Sequence, residues 1–243
     1  MADIIIPDLE NSQIRYRSVL ESQVRQNVEW LDVGCGHDIV PEWVSGSRNW
    51  QLGIVKRVKL LVGIDADYPS LLRHGAIQHK VHGMIEPLPF KNGTFSLVTL
   101  NMVAEHLQNP LSAFNELSRV MEPNGYLIIH TPNKLSYRCL LAIMTPQWLK
   151  LKLIKFFEDR DGQDVFETYY RVNSERKIHS VAEKSGFRIT ELAYTETTPV
   201  ASVLGPFVIP ELLFLRLLRV HAFRKLRGDL IVILQKKVPR HDP

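Results

Sequence analysis

Apolar residues recur along this chain with two different periods. Short, nearly unbroken apolar runs at 28–33, 60–64, 95–101 and 126–131 predict strands. The run at 60–64 shows no polar alternation, which suits a parallel strand covered on both faces. Between these runs the spacing lengthens. Ile14, Tyr16, Leu20 and Val24 predict a helix over 12–26. Further helices are expected at 69–75 and 110–120, and a helix or irregular segment through Trp43 and Trp50. A brief strand fits 79–82. Turns are marked at 34–38, 91–93 and 123–125 by glycine, asparagine and proline, and a rigid loop by 86–90. Ser174 caps a helix that Gly186 ends, over 174–185. Strands follow at 187–194 and 229–235. Two further predicted helices differ in character, 137–157 and 210–227, where leucine, isoleucine and phenylalanine are interleaved with lysine and arginine.

Strands alternating with helices argue for one doubly wound α/β domain over 1–243, with a mostly parallel sheet and helices on both faces. The segment 134–168 interrupts that alternation and reads as a helical lid inserted late in the sheet. In such sheets ligands sit at the carboxyl ends of strands, near the point where strand order reverses. Asp32, Gly34, Asp65 and Asn101 all fall at predicted strand ends.

Composition adds limits. At 243 residues, 45% hydrophobic and 23% charged, the chain is an ordinary globular protein. Cys35 and Cys139 are too few for a disulfide framework, which points to a reducing compartment and a cytoplasmic location. The first eight residues lack a basic n-region, so no signal peptide is expected. No apolar run reaches about 18 residues, the usual length of a membrane span. The longest, 199–215, is broken by Gly205, Pro206, Pro210 and Glu211. Net charge is only +4, but 211–240 carries eight Lys/Arg against Glu211 and Asp229. That tail fits a solvated helix face or contact with an anionic partner.

The chemistry concentrates in Trp30-Leu31-Asp32-Val33-Gly34-Cys35-Gly36, a strand ending in an acid and a Gly-x-Gly turn. A second strand ends in Gly63-Ile64-Asp65. Bare backbone beside a strand-end carboxylate suits an adenosyl group, whose ribose offers two hydroxyls. A nicotinamide dinucleotide fits less well, because the third glycine of its fingerprint is replaced by Ile39. With Leu88-Pro89-Phe90, Glu105-His106-Leu107-Gln108-Asn109-Pro110 and 116–126, these segments resemble the class I S-adenosylmethionine-dependent methyltransferases in order and spacing. The resemblance runs from about 28 to 133. It implies a seven-stranded sheet whose last two strands form an antiparallel hairpin. It also implies that Asp32 and the backbone of Gly34, Cys35 and Gly36 face the cofactor's methionine end, and that Asp65, with Ala66 beside it, takes the ribose. Met84 and Ile85 would flank adenine, and Asn101 and Met102 would lie near the sulfonium. Three positions depart from the family pattern: Asp38 where relatives often have glycine, Met84 where many have an acid, and Ser96 where an acid is common.

His106 is a candidate general base toward an acceptor hydroxyl, or a histidine that shapes its loop. No carboxylate stands one turn before it, and no metal is expected. Tyr169, Tyr170 and Arg171 are candidates for an acceptor pocket, with Tyr16 reaching over from the first helix. The acceptor implied is a small molecule, a sugar or a lipid-linked group, methylated at oxygen; the alternative is a non-catalytic relative of the fold that binds the cofactor or a protein partner. Nucleic acid is not expected, for want of a basic stripe interleaved with aromatics. The stretches 138–157 and 210–227 suit either peripheral contact with a membrane's inner face or ordinary core and partner packing.

Overall fold

A computed structural model of the chain describes residues 11–144, 166–196, 199 and 208–238. Seven strands form one sheet: β1 Glu29–Val33, β2 Leu60–Asp65, β3 His79–His82, β4 Phe95–Asn101, β5 Met121–Pro132, β6 Phe187–Thr195 and β7 Asp229–Lys236. Their order is β3-β2-β1-β4-β5-β7-β6, with β7 antiparallel to both neighbours and the remaining pairs parallel. Strand order reverses between β1 and β4, so a crevice opens at the carboxyl ends of those strands.

Helices pack on both faces of the sheet. The described helices are α1 Ser12–Gln23, α2 Ser47–Val55, α3 Tyr68–Arg73, α4 Pro110–Val120, α5 Tyr137–Met144, α6 Glu175–Lys184 and α7 Val208–Leu218. The start of α4 is set locally. Pro110 occupies its first turn, where a missing N–H costs nothing, and the Asn109 side chain accepts from Ser112 N. Its buried stripe is Ala113, Phe114, Leu117 and Val120, the spacing of one helix face. That stripe joins a core with Leu31, Val98, Leu127 and Val232 on one side of the sheet. Tyr16, Leu20, Trp30, Ile54, Leu71 and Ile128 fill the other.

Three boundaries differ from the sequence reading. Strand β5 begins at Met121 rather than 126, because Met121 pairs with Phe95 across a register irregularity; the Pro123-Asn124-Gly125 turn lies within it, with Asn124 at φ +64°. Ser174 stands at the N-cap of α6 but its side chain makes no capping bond. The helix expected over 210–227 is two elements, α7 and a 3-10 helix His221–Leu226. The Arg227 guanidinium donates to the carbonyls of Leu218 and Arg219, which satisfies the end of α7 where a continuous helix would have used backbone N–H groups. Of the lid expected over 134–168, α5 is a helix as expected, and 145–165 lie outside the described residues.

Candidate active site

The first turn and the second strand meet. Gly34 N and Cys35 N donate to the carbonyl of Ile64, which ties the turn to β2. Asp65, at the tip of β2, is 8% exposed; its Oδ2 accepts from Gly36 N at 2.6 Å and its Oδ1 from Asp67 N at 2.7 Å. Each oxygen keeps a lone pair for a further donor. Gly36 has φ +54°, and a Cβ there would meet nothing within 4 Å. Bare backbone therefore faces open space beside a carboxylate that can still accept two hydrogen bonds. A ribose diol next to a slender aliphatic tail fits that cradle. Gly34 serves another purpose: its Cβ would stand 2.3 Å from Val103 Cγ2, so glycine lets the loop after β4 close in.

Behind the turn lies a buried polar chain. Asp32 and Thr99 are register partners on β1 and β4, and the Thr99 hydroxyl donates to Asp32 Oδ1 at 2.6 Å. Trp30, two residues back and on the same strand face, donates its indole N–H to Thr99 Oγ1. Burial pushes Asp32 up to about 7; the Thr99 hydroxyl pulls it down and the nearby Asp65 charge pushes it up further. The Tyr16 hydroxyl, which feels the Asp32 charge, is buried without a hydrogen-bond partner. An acid held near neutrality with an orphaned hydroxyl beside it suits a ligand bearing both a cation and an acceptor.

Asn101, at the end of β4, is held from three sides. Its amide exchanges hydrogen bonds with Gln13 of α1 and donates to Ile39 O at 3.1 Å, while His130 Nδ1 lies 2.8 Å from its Oδ1. His130 is fully buried, stacks on Tyr16 at 5.4 Å and has Nε2 3.5 Å from Asp229. Met102 follows with φ +59°, a left-handed conformation rare for an unbranched side chain of its size.

His106 ends a 3-10 turn after β4. Its Nδ1 lies 2.9 Å from the carbonyl of Glu167, an atom that can only accept, so in the neutral ring Nδ1 carries the proton and Nε2 keeps a lone pair. Phe166 packs edge-on to the imidazole at 6.0 Å. The neighbouring Glu105 is buried, takes the Thr131 hydroxyl at 2.9 Å, and burial pushes its carboxyl up. The backbone N–H groups of Tyr169 and Tyr170 both donate to Glu105 O. The Tyr169 hydroxyl binds Gln108 and Glu167, and Arg171 donates to Gln108 O while its guanidinium lies over the Tyr169 ring. The segment 167–171 is thus joined to the loop after β4.

The sequence-derived candidates therefore gather at one end of the sheet, with corrections of detail. Tyr16, expected to reach the acceptor, has no exposed surface and lies under Asp32 and His130. Cys35 turns its thiol into the core, where Gly63 leaves room for it, so only its backbone faces the crevice. Met84 is 63% exposed and Ile85 packs against the core. Ala66 O is 3.1 Å from His82 Nε2. Ser96 accepts from Glu29 N and donates to Glu29 O, a structural task between β1 and β4. Thr99, Gln51 and His130 were missed. Gln51 fixes the turn from α2: its side chain accepts from Ile39 N and donates to Asp38 Oδ1 and Val40 O. Among the described residues no three His, Cys, Asp or Glu side chains form a metal cluster.

A family model described as a methyltransferase domain matches residues 12–192. An uncharacterised methyltransferase of Schizosaccharomyces pombe is 31% identical over 124 residues, 46% of this chain and 43% of that protein. A ubiquinone biosynthesis O-methyltransferase of Burkholderia vietnamiensis is 24% identical over 138 residues, 53% of this chain and 55% of that one. The chain thus spans about half the length of curated relatives it matches. The crystal structure of an S-adenosylmethionine-dependent methyltransferase from Mesorhizobium loti superposes with a TM-score of 0.59 at 13% identity, covering 93% of this chain and 98% of that one, a likeness of fold.

Proposed function

The chain belongs to the methyltransferase-domain family, and from that premise we propose that it transfers a methyl group from S-adenosylmethionine to a small-molecule, sugar or lipid-linked acceptor, at oxygen. The observation that carries this reading is the Asp65 carboxylate, hydrogen-bonded to the bare backbone of Gly36 with lone pairs to spare. Asp65 takes the ribose hydroxyls, Gly34 to Gly36 admit the methionine chain, and Asp32 receives its amino-acid end. Met84 and Ile85 border adenine; Asn101 and Met102 border the sulfonium.

The cofactor supplies an activated methyl, so the protein's task is alignment. Holding nucleophile and methyl in line can supply about 7–11 kcal/mol of the barrier. Asn101, fixed by Gln13, Ile39 and His130, gives the reacting end a rigid wall. His106 stands at the acceptor side with Nε2 ready to take the hydroxyl proton as the C–O bond forms, while Glu167 O holds the ring in that tautomer. Tyr169 and Arg171 order the loop that carries His106 and border the acceptor, with Tyr170 between them. Relatives named for ubiquinone biosynthesis support a small acceptor oxygen.

Titration calorimetry with S-adenosylmethionine and with its demethylated product tests the cofactor assignment. Both should bind, and Asp65→Ala should weaken binding more than about tenfold, the loss of a charge-assisted pair of hydrogen bonds. Failure of the wild-type chain to bind either compound would overturn the reading. Mass spectrometry for a gain of one methylene in extracts treated with enzyme and labelled donor identifies the acceptor.

A further inference from the structure

We infer that the outward face of α7 and the following 3-10 helix docks on an anionic phospholipid bilayer. A surface helix ordinarily turns polar residues outward. In α7, Leu212, Leu215 and Leu218 are buried, yet Leu213 and Leu217 are 54% and 48% exposed. The apolar surface continues through Val220, Phe223 and Leu226 of the next turns, all exposed. Arg216, Arg224 and Lys225 are exposed among them. Acids nearby are already engaged: Glu211 takes the Tyr137 hydroxyl, Glu196 pairs with Arg219, and Glu175 takes the Tyr194 hydroxyl and pairs with Lys225. Apolar side chains interleaved with cations match the boundary between acyl chains and anionic headgroups. Among the described residues no helix is long and apolar enough to cross a membrane, so the contact is peripheral.

Charge decides between occupants. A second copy docked about a twofold axis would set this patch against itself, bringing the same arginines together. A phosphate-bearing surface neutralises them. Position gives the contact a use that rests on the methyl-transfer reading. Asn133, just past β5, donates to the carbonyls of Lys225 and Arg227 at 2.8 Å each, and Pro132 is paired with Asp229. Asn101 of β4 is paired with His130 of β5, the strand that ends at Pro132. The apolar face and the candidate site therefore share one rim of the sheet, and a lipid-linked acceptor could enter from the bilayer without crossing water.

Co-sedimentation of the purified full chain with vesicles tests this without cofactor or acceptor. Vesicles of phosphatidylcholine containing phosphatidylglycerol should carry the chain into the pellet, and added salt should release it. Phosphatidylcholine alone should bind it far less. The double variants L213E/L217E and R216E/R224E should each lose more than about tenfold in vesicle affinity. S-adenosylmethionine affinity by calorimetry should stay at the wild-type value, which shows the variants are folded. No sedimentation of the wild-type chain with anionic vesicles, or undiminished binding by both variants, would overturn the inference. So would a wild-type dimer, seen by light scattering, that L213E/L217E dissociates. A wild-type chain that binds cofactor but no anionic vesicles would leave the methyl-transfer reading standing, and one that binds the vesicles but no cofactor would leave the docking surface standing.

Discussion

Two carboxylates 33 residues apart in sequence sit on neighbouring strands in different surroundings. Asp65 accepts two backbone N–H groups at the tip of β2, whereas Asp32 lies deeper, with one hydroxyl donor. Burial raises Asp32 from 3.8 to about 7. Between those values the folded chain holds a proton that the unfolded chain has released. Its contribution to stability is therefore full below about pH 4 and is lost as pH rises through 7, a difference on the order of a few kcal/mol. A cationic amino group bound beside Asp32 favours the ionised form, so cofactor affinity should tighten as pH rises from 6 to 8. In Asp32→Asn that dependence should flatten and affinity should fall, which calorimetry across pH would read. The base role proposed for His106 concerns rate rather than binding. His106→Ala should lower kcat about 100-fold or more on a hydroxyl acceptor while leaving cofactor affinity unchanged, since Nε2 acts only as the proton moves. Full turnover in that variant would leave His106 as a loop-shaping residue. Asp32 and Asp65 were legible in the sequence because each ends an apolar run. Thr99, which sets the state of Asp32, was not, because it reads as one more residue of a buried strand until β1 and β4 are paired.

Element by element, the hydrophobic periodicity located the parts well and their joints less well. The parallel strands and α4 carry their own signals: dense apolar runs, a proline at the first turn, a buried stripe. Joints depend on partners from elsewhere. The break between α7 and the 3-10 helix comes from Arg227 reaching back to two carbonyls, and nothing in the periodicity marks it. The first turn shows the same dependence. It departs from the glycine pattern at Asp38, and α2 supplies Gln51, which accepts from the buried Ile39 N–H at 2.8 Å and donates to two oxygens. Gln51→Ala leaves that N–H unsatisfied and should cost about 1–3 kcal/mol. Because the same loop holds Asn101 through Ile39 O, cofactor affinity should fall as well. Gln51→Glu keeps the acceptor for Ile39 N–H but sets a buried carboxylate against Asp38 Oδ1 and Val40 O, and should be at least as destabilised as Gln51→Ala in urea unfolding. Equal midpoints for wild type and Gln51→Ala would show that water replaces the side chain.

At the scale of the whole molecule, the seven-stranded order with its antiparallel end was implied by the family resemblance rather than by periodicity, which cannot order strands. The topology gathers residues from four separate stretches of chain at the switch between β1 and β4: Gln13 from α1, Asp32 to Gly36 after β1, Asp65 from β2 and Asn101 from β4. A ligand seated there touches all of these elements at once. It should act as a clamp, binding the folded chain and not the unfolded one. At a hundredfold excess over Kd this adds about 2.7 kcal/mol, which for a chain of this size raises Tm by roughly 5–10 °C. The gain should be largest in amides of α1 and the first turn, read by hydrogen exchange, because these are tied to the sheet through Gln13–Asn101 and Gly36–Asp65. In Asp65→Ala the shift at the same cofactor concentration should shrink by at least about 1.4 kcal/mol if affinity falls tenfold. A uniform rise in protection with no excess at α1 would mean that the ligand sits elsewhere on the fold. A rise confined to α1 and the turn ties the sheet's switch point to binding without reference to turnover.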